Sequence, residues 1–351
     1  MSYSKEVTES VTEEDLGVLW RVCTYAAVMM LMLVALVLFI KAYIHISKGV
    51  CKSTQTLNGK TVIVTGANAG IGKETAKELA RRKARVILAC RNLEKGKEAA
   101  QEILEETQQP VVVKHLDLAS LKSVRHFAED ILKTESRLDV LINNAGMSTY
   151  NTEVELTEDG YEVCFQANYI GHVLLTCLLA GLLKKSAPSR VVNLSSILHH
   201  LGNADNLRAK ATGTERPSHP VLIYCHTKMA LLVFTRVLAE KLKPHGITVN
   251  ALHPGSVKTN IVAKDATGLV AAFVTFVFDY FGKTPKEGAQ TSVYAAVDPS
   301  LAKTTGRYFV DCSEGWMNWK ALDRDKNSVA FETSLELVGL SEKEVDKILE
   351  Q

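Results

Sequence analysis

The sequence predicts an α/β fold, a doubly wound parallel sheet preceded by one transmembrane helix. From Lys60 onward, short apolar runs alternate with longer helix-like stretches, the pattern of parallel strands whose connecting helices cover both faces of a sheet. A glycine-rich turn at 65–72 directly follows the first of these runs, and an uncharged, mostly apolar run at 22–40 precedes the whole domain. Strands of this kind place a ligand at their carboxyl ends.

The N-terminal apolar run is bracketed by Arg21 and Lys41. Its length suffices to cross a hydrocarbon core of about 30 Å at about 1.5 Å per residue. A signal peptide would need a basic leading segment and a small-residue cleavage site, whereas acidic residues precede the run and no such site follows. We therefore expect a tail over 1–21, a retained single-span anchor over 22–44 and a linker over 45–58. Lysines after the span favour a cytosolic domain.

The main domain is expected over 59–315. Its predicted strands are the continuous apolar runs, at 61–65, 85–89, 111–115, 138–142, 190–194, 247–252 and, less regularly, 306–310. The predicted helices between them are 71–82, 93–107, one from about 120, 158–184, 224–243 and 285–297. A C-terminal helical extension is expected over 316–351.

Composition excludes some classes of function. The formal net charge is +2, from 41 basic and 39 acidic residues, and no basic stripe interleaves with aromatic residues, so we expect no nucleic-acid partner. The seven cysteines lack a Cys-x-x-Cys pair, which favours reduced thiols. The pair His199-His200 lacks the spacing of a metal site, so no metal is expected.

The glycine-rich turn predicts a dinucleotide site, because it joins a strand to a helix. Glycines let the backbone approach a pyrophosphate, and the amides at the helix N-terminus meet its charge. The alternative is a tight strand–helix turn without a ligand. The predicted cofactor contacts in the turn are Gly66, Asn68, Gly70, Ile71 and Gly72.

The end of the second strand carries Arg91. An acidic residue there would bond the adenosine ribose 2′-hydroxyl of NAD, whereas an arginine meets the 2′-phosphate of NADP. We therefore expect NADP (NADPH), with Lys73 as a second basic candidate. The alternative is a solvated surface arginine.

Two further strand ends contain candidate cofactor contacts. Asp117 and Leu118 follow the third strand, where they either meet the adenine edge or cap the next helix. Asn144 lies in Asn-Asn-Ala-Gly at 143–146, where small residues let the end of the sheet lie near the cofactor, although a plain turn has the same pattern.

Taken together, the ordered motifs resemble those of the short-chain dehydrogenase/reductase family over about residues 57–315. The motifs are Thr-Gly-x-x-x-Gly-Ile-Gly at 65–72, Asn-Asn-Ala-Gly at 143–146, Asn168, Ser195-Ser196, the Tyr224-x-x-x-Lys228 pair and Pro254-Gly255. The chain most resembles the membrane-anchored, NADP-preferring retinol dehydrogenase branch. That finer resemblance depends on the apolar N-terminal run and on the sequences at 89–91, 199–202 and 224–228. It implies a Rossmann-type domain.

The residue types predict the chemistry. Tyr224 and Lys228 share a helix face, and an ammonium beside a phenol lowers the phenol's pKa from about 10. Tyr224 then exchanges a proton with the substrate oxygen as hydride is transferred, and Lys228 also bonds the nicotinamide ribose. Ser196 is expected to bind the substrate oxygen. Taken alone, such a Tyr–Lys pair is more often a solvated helix face, and only the ordered set indicates catalysis.

The resemblance implies further roles. Asn168 would anchor helix backbone and a water chain toward Lys228. Residues flanking the nicotinamide carboxamide would be Pro254, Gly255, Val257 and Thr259. The chain departs from the usual family pattern at Thr227, where serine is common, and in a longer polar stretch at 204–220, which we expect to form a flap.

The segment 266–282 contains four phenylalanines and a tyrosine where this fold places its substrate lid. The segment indicates an apolar entrance to the substrate site or a surface that inserts into lipid, although an internal helix is the alternative. We expect reduction of a lipophilic aldehyde or ketone, with retinal and retinol as the leading pair. Steroid, isoprenoid and long-chain aldehydes are alternatives, and a non-catalytic cofactor-binding scaffold is the alternative of another class. The anchor favours the endoplasmic reticulum, and a homodimer is left open.

Overall fold

A computed structural model of the protein describes residues 13–148, 153–257 and 282–350. The chain divides into two compact units, 1–48 and 49–351. In the first unit, helix α1 runs from Glu13 to Ser47. Its segment Trp20–Phe39 has a mean hydropathy of 2.6 and no buried residues, which makes it a candidate membrane span, as the sequence predicts.

The second unit contains the doubly wound sheet. The strands are β1 (Thr61–Thr65), β2 (Arg85–Cys90), β3 (Val112–His115), β4 (Val140–Asn143), β5 (Ser189–Leu194), β6 (Ile247–His253), β7 (Tyr308–Val310) and β8 (Ser313–Glu314). Their order is β3-β2-β1-β4-β5-β6-β7-β8, in which β1 to β7 are parallel. The short β8 pairs antiparallel with β7 and was not predicted.

Helices cover both faces of the sheet, as expected for parallel strands. They are α2 (Gly70–Arg81), α3 (Leu93–Thr107), α4 (Leu121–Thr134), α5 (Gly171–Lys185), α6 (Leu207–Ala211), α7 (Val221–Leu242), α8 (Pro285–Val297), α9 (Arg324–Leu337) and α10 (Glu342–Glu350). One apolar cluster contains residues of α2, α3 and α8, and another contains residues of α4, α5, α7, α9 and α10. These two layers of helices pack on the sheet, and the site is built around the ends of its strands.

The helix predicted over 158–184 begins later than expected. Residues around Gly160, which has φ +81°, form a turn closed by pairing of Leu156 with Glu162. The Glu162 carboxylate then accepts hydrogen bonds from the next backbone N–H groups, so the first helical turn is Val163–Phe165. A π-helical turn, Gln166–Ile170, follows before α5. Neither the turn nor the π geometry has a periodic apolar pattern that predicts it.

The C-terminal helices cover two unusually apolar helices of the core. Segments 163–185 and 221–245 have the length and hydropathy of membrane spans, but 83% and 67% of their most apolar windows are buried. Phe331 of α9 stacks on Phe234 of α7, with ring centroids 5.6 Å apart. The Tyr169 hydroxyl bonds Ser334 of α9. The C-terminal helices therefore form part of the main core.

Phe331→Ala is expected to destabilise the protein by about 3–5 kcal/mol, because removing a buried aromatic ring leaves a cavity. Urea unfolding of the detergent-solubilised chain measures the effect. Val329→Ala on the same helix is the matched control, since Val329 is 63% exposed. Its expected effect is within about 0.5 kcal/mol. Equal effects of the two substitutions would show that α9 does not close the core.

Candidate active site

The glycine-rich turn connects the end of β1 to α2. Gly66 has φ +65°, which favours glycine. A Cβ at Gly72 would lie 2.4 Å from the Asn144 amide nitrogen and 2.5 Å from the Gly66 oxygen, so no side chain fits there. No side chain caps α2 at Ala69, and its first turn contains no acidic residue. The N-terminal amides of α2 thus remain available for a pyrophosphate, while Asn68, Gly70 and Ile71 stay predicted cofactor contacts.

The Thr65 hydroxyl joins this turn to the end of β4 and to α5. It accepts hydrogen bonds of 2.9 Å from the backbone N–H groups of Asn144 and Ala145. It also lies 3.0 Å from Nε2 of His172, whose Nδ1 lies 3.1 Å from the Asn168 carbonyl oxygen. A carbonyl only accepts, so we assign the proton to Nδ1, and Thr65 donates to Nε2. Burial lowers the pKa of His172 to about 3, which keeps the ring neutral.

Asn144 has a structural role in this arrangement. Its side-chain amide donates a 2.7 Å hydrogen bond to the backbone oxygen of Thr65. The residue therefore holds the end of β4 against the start of the glycine-rich turn. This structural role of Asn144 is compatible with its predicted place beside the cofactor.

Arg91 directly follows β2 and is exposed. Within the described ranges, its guanidinium has no ion-pair partner. Lys73, the second basic candidate, forms an ion pair with Glu102, so its ammonium is less available to a phosphate. Arg91 is thus the more available cation at this strand end.

Asp117 and Leu118 follow β3 and shape the next turn. The Asp117 carboxylate accepts a 3.0 Å hydrogen bond from the Ala119 N–H, whereas Ser120 caps α4. The backbone oxygen of Leu118 would lie 2.5 Å from a Cβ at Gly171, so the third strand end packs directly on α5. One carboxylate oxygen of Asp117 is thus engaged in the local turn.

Asn168 lies in the π-helical turn and is fully buried. Its side chain accepts from the Met147 N–H and donates to the Met147 carbonyl oxygen, both at 2.7 Å. The amide also donates to the Thr227 hydroxyl at 3.2 Å. Asn168 therefore joins the loop after β4 to α7, and π turns of this kind are frequent at functional sites.

Lys228 is buried on α7, beside the predicted catalytic tyrosine. Its ammonium lies 5.4 Å from the centre of the Tyr224 ring and donates a 2.7 Å hydrogen bond to the Leu194 carbonyl oxygen at the end of β5. A Cβ at Gly146 would lie 3.4 Å from this ammonium and 3.5 Å from the Asn168 side-chain oxygen. The Asn168 and Lys228 side chains therefore converge at Gly146. Burial lowers the pKa of Lys228 to about 8.

The serine pair directly follows β5. The Ser195 hydroxyl donates to the Lys228 carbonyl oxygen at 2.9 Å, which fixes the strand end to α7. Ser196 caps a short 3₁₀ helix, Ile197–Leu201, by accepting from the Leu198 N–H. His199 Nδ1 contacts the Ser196 carbonyl oxygen at 2.6 Å. The second serine therefore points its hydroxyl into the start of this 3₁₀ helix.

The loop after β6 contains the remaining predicted contacts. Gly255 has φ +89°, and a Cβ there would lie 2.6 Å from the Lys283 ammonium, which forms an ion pair with Asp311. Val257, after Pro254-Gly255, packs within reach of Gly288 on α8. Thr259 lies outside the described residues, as does nearly all of the predicted lid at 266–282. The predicted flap at 204–220 contains α6.

Sequence reasoning missed how the groups of this site are positioned. Thr65 and Gly146 lie within motifs that the sequence singled out, but the hydrogen bonds of Thr65 and His172 and the close approach of Lys228 to Gly146 join distant segments, and such pairings have no local sequence pattern. A histidine in the apolar segment that becomes α5 was the one available signal. The residues present fit a nicotinamide dinucleotide: a cradle without side chains meets uncapped helix amides, and a buried ammonium adjoins a phenol.

Comparisons with known proteins agree with this geometry. The family model for short chain dehydrogenases matches residues 60–269. Human retinol dehydrogenase 11 is 45% identical over 300 residues, covering 84% of this chain and 91% of the relative. Retinol dehydrogenase 13 of Mus musculus is 44% identical over 307 residues, covering 85% and 89%.

Solved structures share the fold. A protein of Mycobacterium paratuberculosis matches with a TM-score of 0.65 and 31% identity, covering 84% of this chain and 98% of that chain. A Shigella flexneri short chain dehydrogenase complexed with NADP matches with a TM-score of 0.59 and 26% identity, covering 74% and 100%. The chain belongs to the short-chain dehydrogenase/reductase family, oxidoreductases that bind a nicotinamide dinucleotide. Within that family it falls in the retinol dehydrogenase branch.

Proposed function

We propose that this protein reduces a lipophilic aldehyde or ketone to its alcohol with NADPH, with all-trans-retinal as the leading substrate. The observation that carries the proposal is the buried Lys228 ammonium beside Tyr224, at the carboxyl end of β5. The names of the relatives support a retinoid. Steroid, isoprenoid and long-chain carbonyl compounds remain alternative substrates.

The proposed mechanism assigns one task to each side chain. When bound, a reduced nicotinamide dinucleotide would supply the hydride that the carbonyl carbon accepts. Tyr224 donates a proton to the carbonyl oxygen, and Ser196 binds that oxygen as negative charge develops on it. Lys228 would stabilise the phenolate that remains and hold the cofactor ribose. Asn168 holds in place the loop after β4, which lies against the Lys228 ammonium. In the reverse direction, Tyr224 takes the proton from an alcohol.

The remaining predicted contacts would hold the cofactor. Gly66, Asn68, Gly70, Ile71 and Gly72 would cradle the pyrophosphate. Contacts to the other parts of the cofactor would come from Asp117, Leu118 and Asn144 on the adenosine side and from Pro254, Gly255, Val257 and Thr259 on the nicotinamide side.

Arg91 favours NADP over NAD as the cofactor. Its exposed guanidinium follows β2, where a 2′-phosphate is expected in this fold. NADPH is the reductant that cells keep in excess, so the reductive direction goes with this preference. The NADP bound to the Shigella flexneri relative supports the same cofactor.

Arg91→Ala is expected to raise the KM for NADPH by about 10–100-fold, because a charge-assisted hydrogen bond contributes about 1.5–3 kcal/mol. The KM for NADH is expected to stay unchanged. Initial rates with each cofactor measure this, and Lys303→Ala, an exposed lysine, is the control. An equal rise with both cofactors would refute recognition of the 2′-phosphate by Arg91.

We propose a single-pass protein of the endoplasmic reticulum whose catalytic unit faces the cytosol, anchored by the candidate span Trp20–Phe39. The odd number of cysteines and the lysines after the span support that orientation. A homodimer remains a prediction. The faces of α5 and α7 that pack on α9 and α10 are already covered, so a dimer would use another surface.

A further inference from the structure

A group of large apolar side chains lies exposed beside the candidate active site. Trp316 is 90% exposed and Trp319 is 72% exposed. Leu322, Ile197 and Leu201 are each at least half exposed. We name these five residues the tryptophan surface. Tryptophan is highly buried on average, so two strongly exposed tryptophans beside further exposed apolar residues indicate a contact site.

The two segments of the tryptophan surface are joined by hydrogen bonds. The Asn318 N–H donates to Nε2 of His199 at 3.1 Å, and the Asn318 side chain donates to the His200 carbonyl oxygen at 3.1 Å. The segment with Trp316 and Trp319 is thus fixed against the 3₁₀ helix that begins after Ser196. The tryptophan surface therefore borders the position expected to bind the substrate oxygen.

The chemistry of this surface fits the boundary between lipid headgroups and acyl chains. Tryptophan is enriched there because its ring is apolar while its N–H stays hydrated. The Lys320 ammonium lies 6.0 Å from the Trp319 ring centre, so a cation accompanies the ring, as at a phosphate-bearing surface. Arg324 follows in the sequence; it is 83% exposed and lies 3.7 Å from a carboxylate oxygen of Glu240.

The second unit begins at the β7–β8 strand pair. Gly49, the first residue of that unit, donates its N–H to the Asp311 carboxylate at 3.2 Å. Asp311 lies between β7 and β8, shortly before Trp316 in the sequence. The first residue of the second unit is therefore bound at the strand pair that precedes Trp316 in the sequence.

We propose that the tryptophan surface inserts into the interfacial layer of the membrane and that lipophilic substrate enters the site from the bilayer along it. The proposal rests on the proposed function in one respect, that the substrate dissolves in lipid. A second copy of the chain would also cover apolar residues. The bilayer is favoured by the tryptophans, by the Lys320 ammonium 6.0 Å from the Trp319 ring centre and by the candidate membrane span in the same chain.

The tryptophan content allows a direct test. The chain has 3 tryptophans, and only Trp20 lies outside the surface. The full-length Trp20→Phe protein, reconstituted into phosphatidylcholine vesicles, therefore emits from Trp316 and Trp319 alone. We expect vesicles containing brominated acyl chains to quench this emission and aqueous iodide to quench it little. Quenching by iodide but not by bromolipid would overturn the proposal, and so would quenching by neither, which would indicate coverage by protein.

A kinetic arm separates substrate entry from chemistry. Trp316→Ala with Trp319→Ala is expected to raise the KM for vesicle-borne retinal several-fold, with the kcat for a short water-soluble aldehyde unchanged. An unchanged KM for retinal would overturn the entry route. If retinal is not turned over by any form, the proposed function fails while the fluorescence result still tests membrane insertion.

Discussion

Tyr224→Phe is expected to lower the kcat for carbonyl reduction by about a thousandfold, because a positioned general acid contributes about 10²–10⁴-fold. The substitution removes one hydroxyl and keeps the ring beside the Lys228 ammonium. NADPH binding, measured by fluorescence titration, is therefore expected to change little. Loss of turnover with retained cofactor binding distinguishes proton transfer from a general disturbance of the site.

The matched control is Tyr294→Phe. Tyr294 lies on α8, where its ring packs against Phe309 at 5.8 Å. Tyr294→Phe makes the same chemical change away from the predicted catalytic group, so the kcat of this variant should match that of the wild type. Turnover that survives Tyr224→Phe would refute the assignment of the proton donor. A wild-type protein that binds NADPH but turns over no carbonyl substrate would instead favour the non-catalytic scaffold.

Lys228→Met is expected to reduce kcat/KM by at least about a hundredfold, since it removes the charge that favours the phenolate. It should also weaken NADPH binding, which Tyr224→Phe should not. Lys185→Met, at an exposed position on α5, is the control. Wild-type kinetics in Lys228→Met would exclude an electrostatic role for this ammonium.

The same substitution has a predicted effect on stability without cofactor. Burial lowers the pKa of Lys228 from its usual 10.5 to about 8, so the fold disfavours the charged form. Between these two values the unfolded chain binds more protons, and the free energy of unfolding of the wild type should rise with pH. Lys228→Met should lack this rise and be at least as stable at pH 7. Urea unfolding at several pH values tests both statements.

Local sequence patterns predict the regular elements of this fold well. The prediction of 285–297 as a helix agrees with the structure, where Thr284 and Glu287 form a capping box at its start. The first strand also has its predicted bounds, Thr61–Thr65. Both depend on patterns within a few residues. The late start of the helix after Glu162, and the short β8, depend on pairings that a local pattern does not contain.

For the candidate site, too, the sequence predicts what local patterns contain and not the contacts between distant segments. The residue types and order of Asn168, Ser196, Tyr224 and Lys228 indicate a shared chemistry, and their roles stay predictions. The network through His172 could not be inferred, because its imidazole ring joins the end of β1 to the π-helical turn through Thr65 and the Asn168 carbonyl oxygen. Nor does the sequence reveal that Trp316 and the residues after Ser196 form one surface, since two bonds from Asn318 join them.

The measurement that tests the central claim most directly is the rate of NADPH oxidation by the detergent-solubilised full-length protein with all-trans-retinal. NADH is run in parallel, and Tyr224→Phe provides the blank. We predict turnover with NADPH, much slower turnover with NADH, and none above background in the variant. Absence of retinal turnover in wild-type protein that binds NADPH, or equal rates in wild type and variant, would contradict the proposed function.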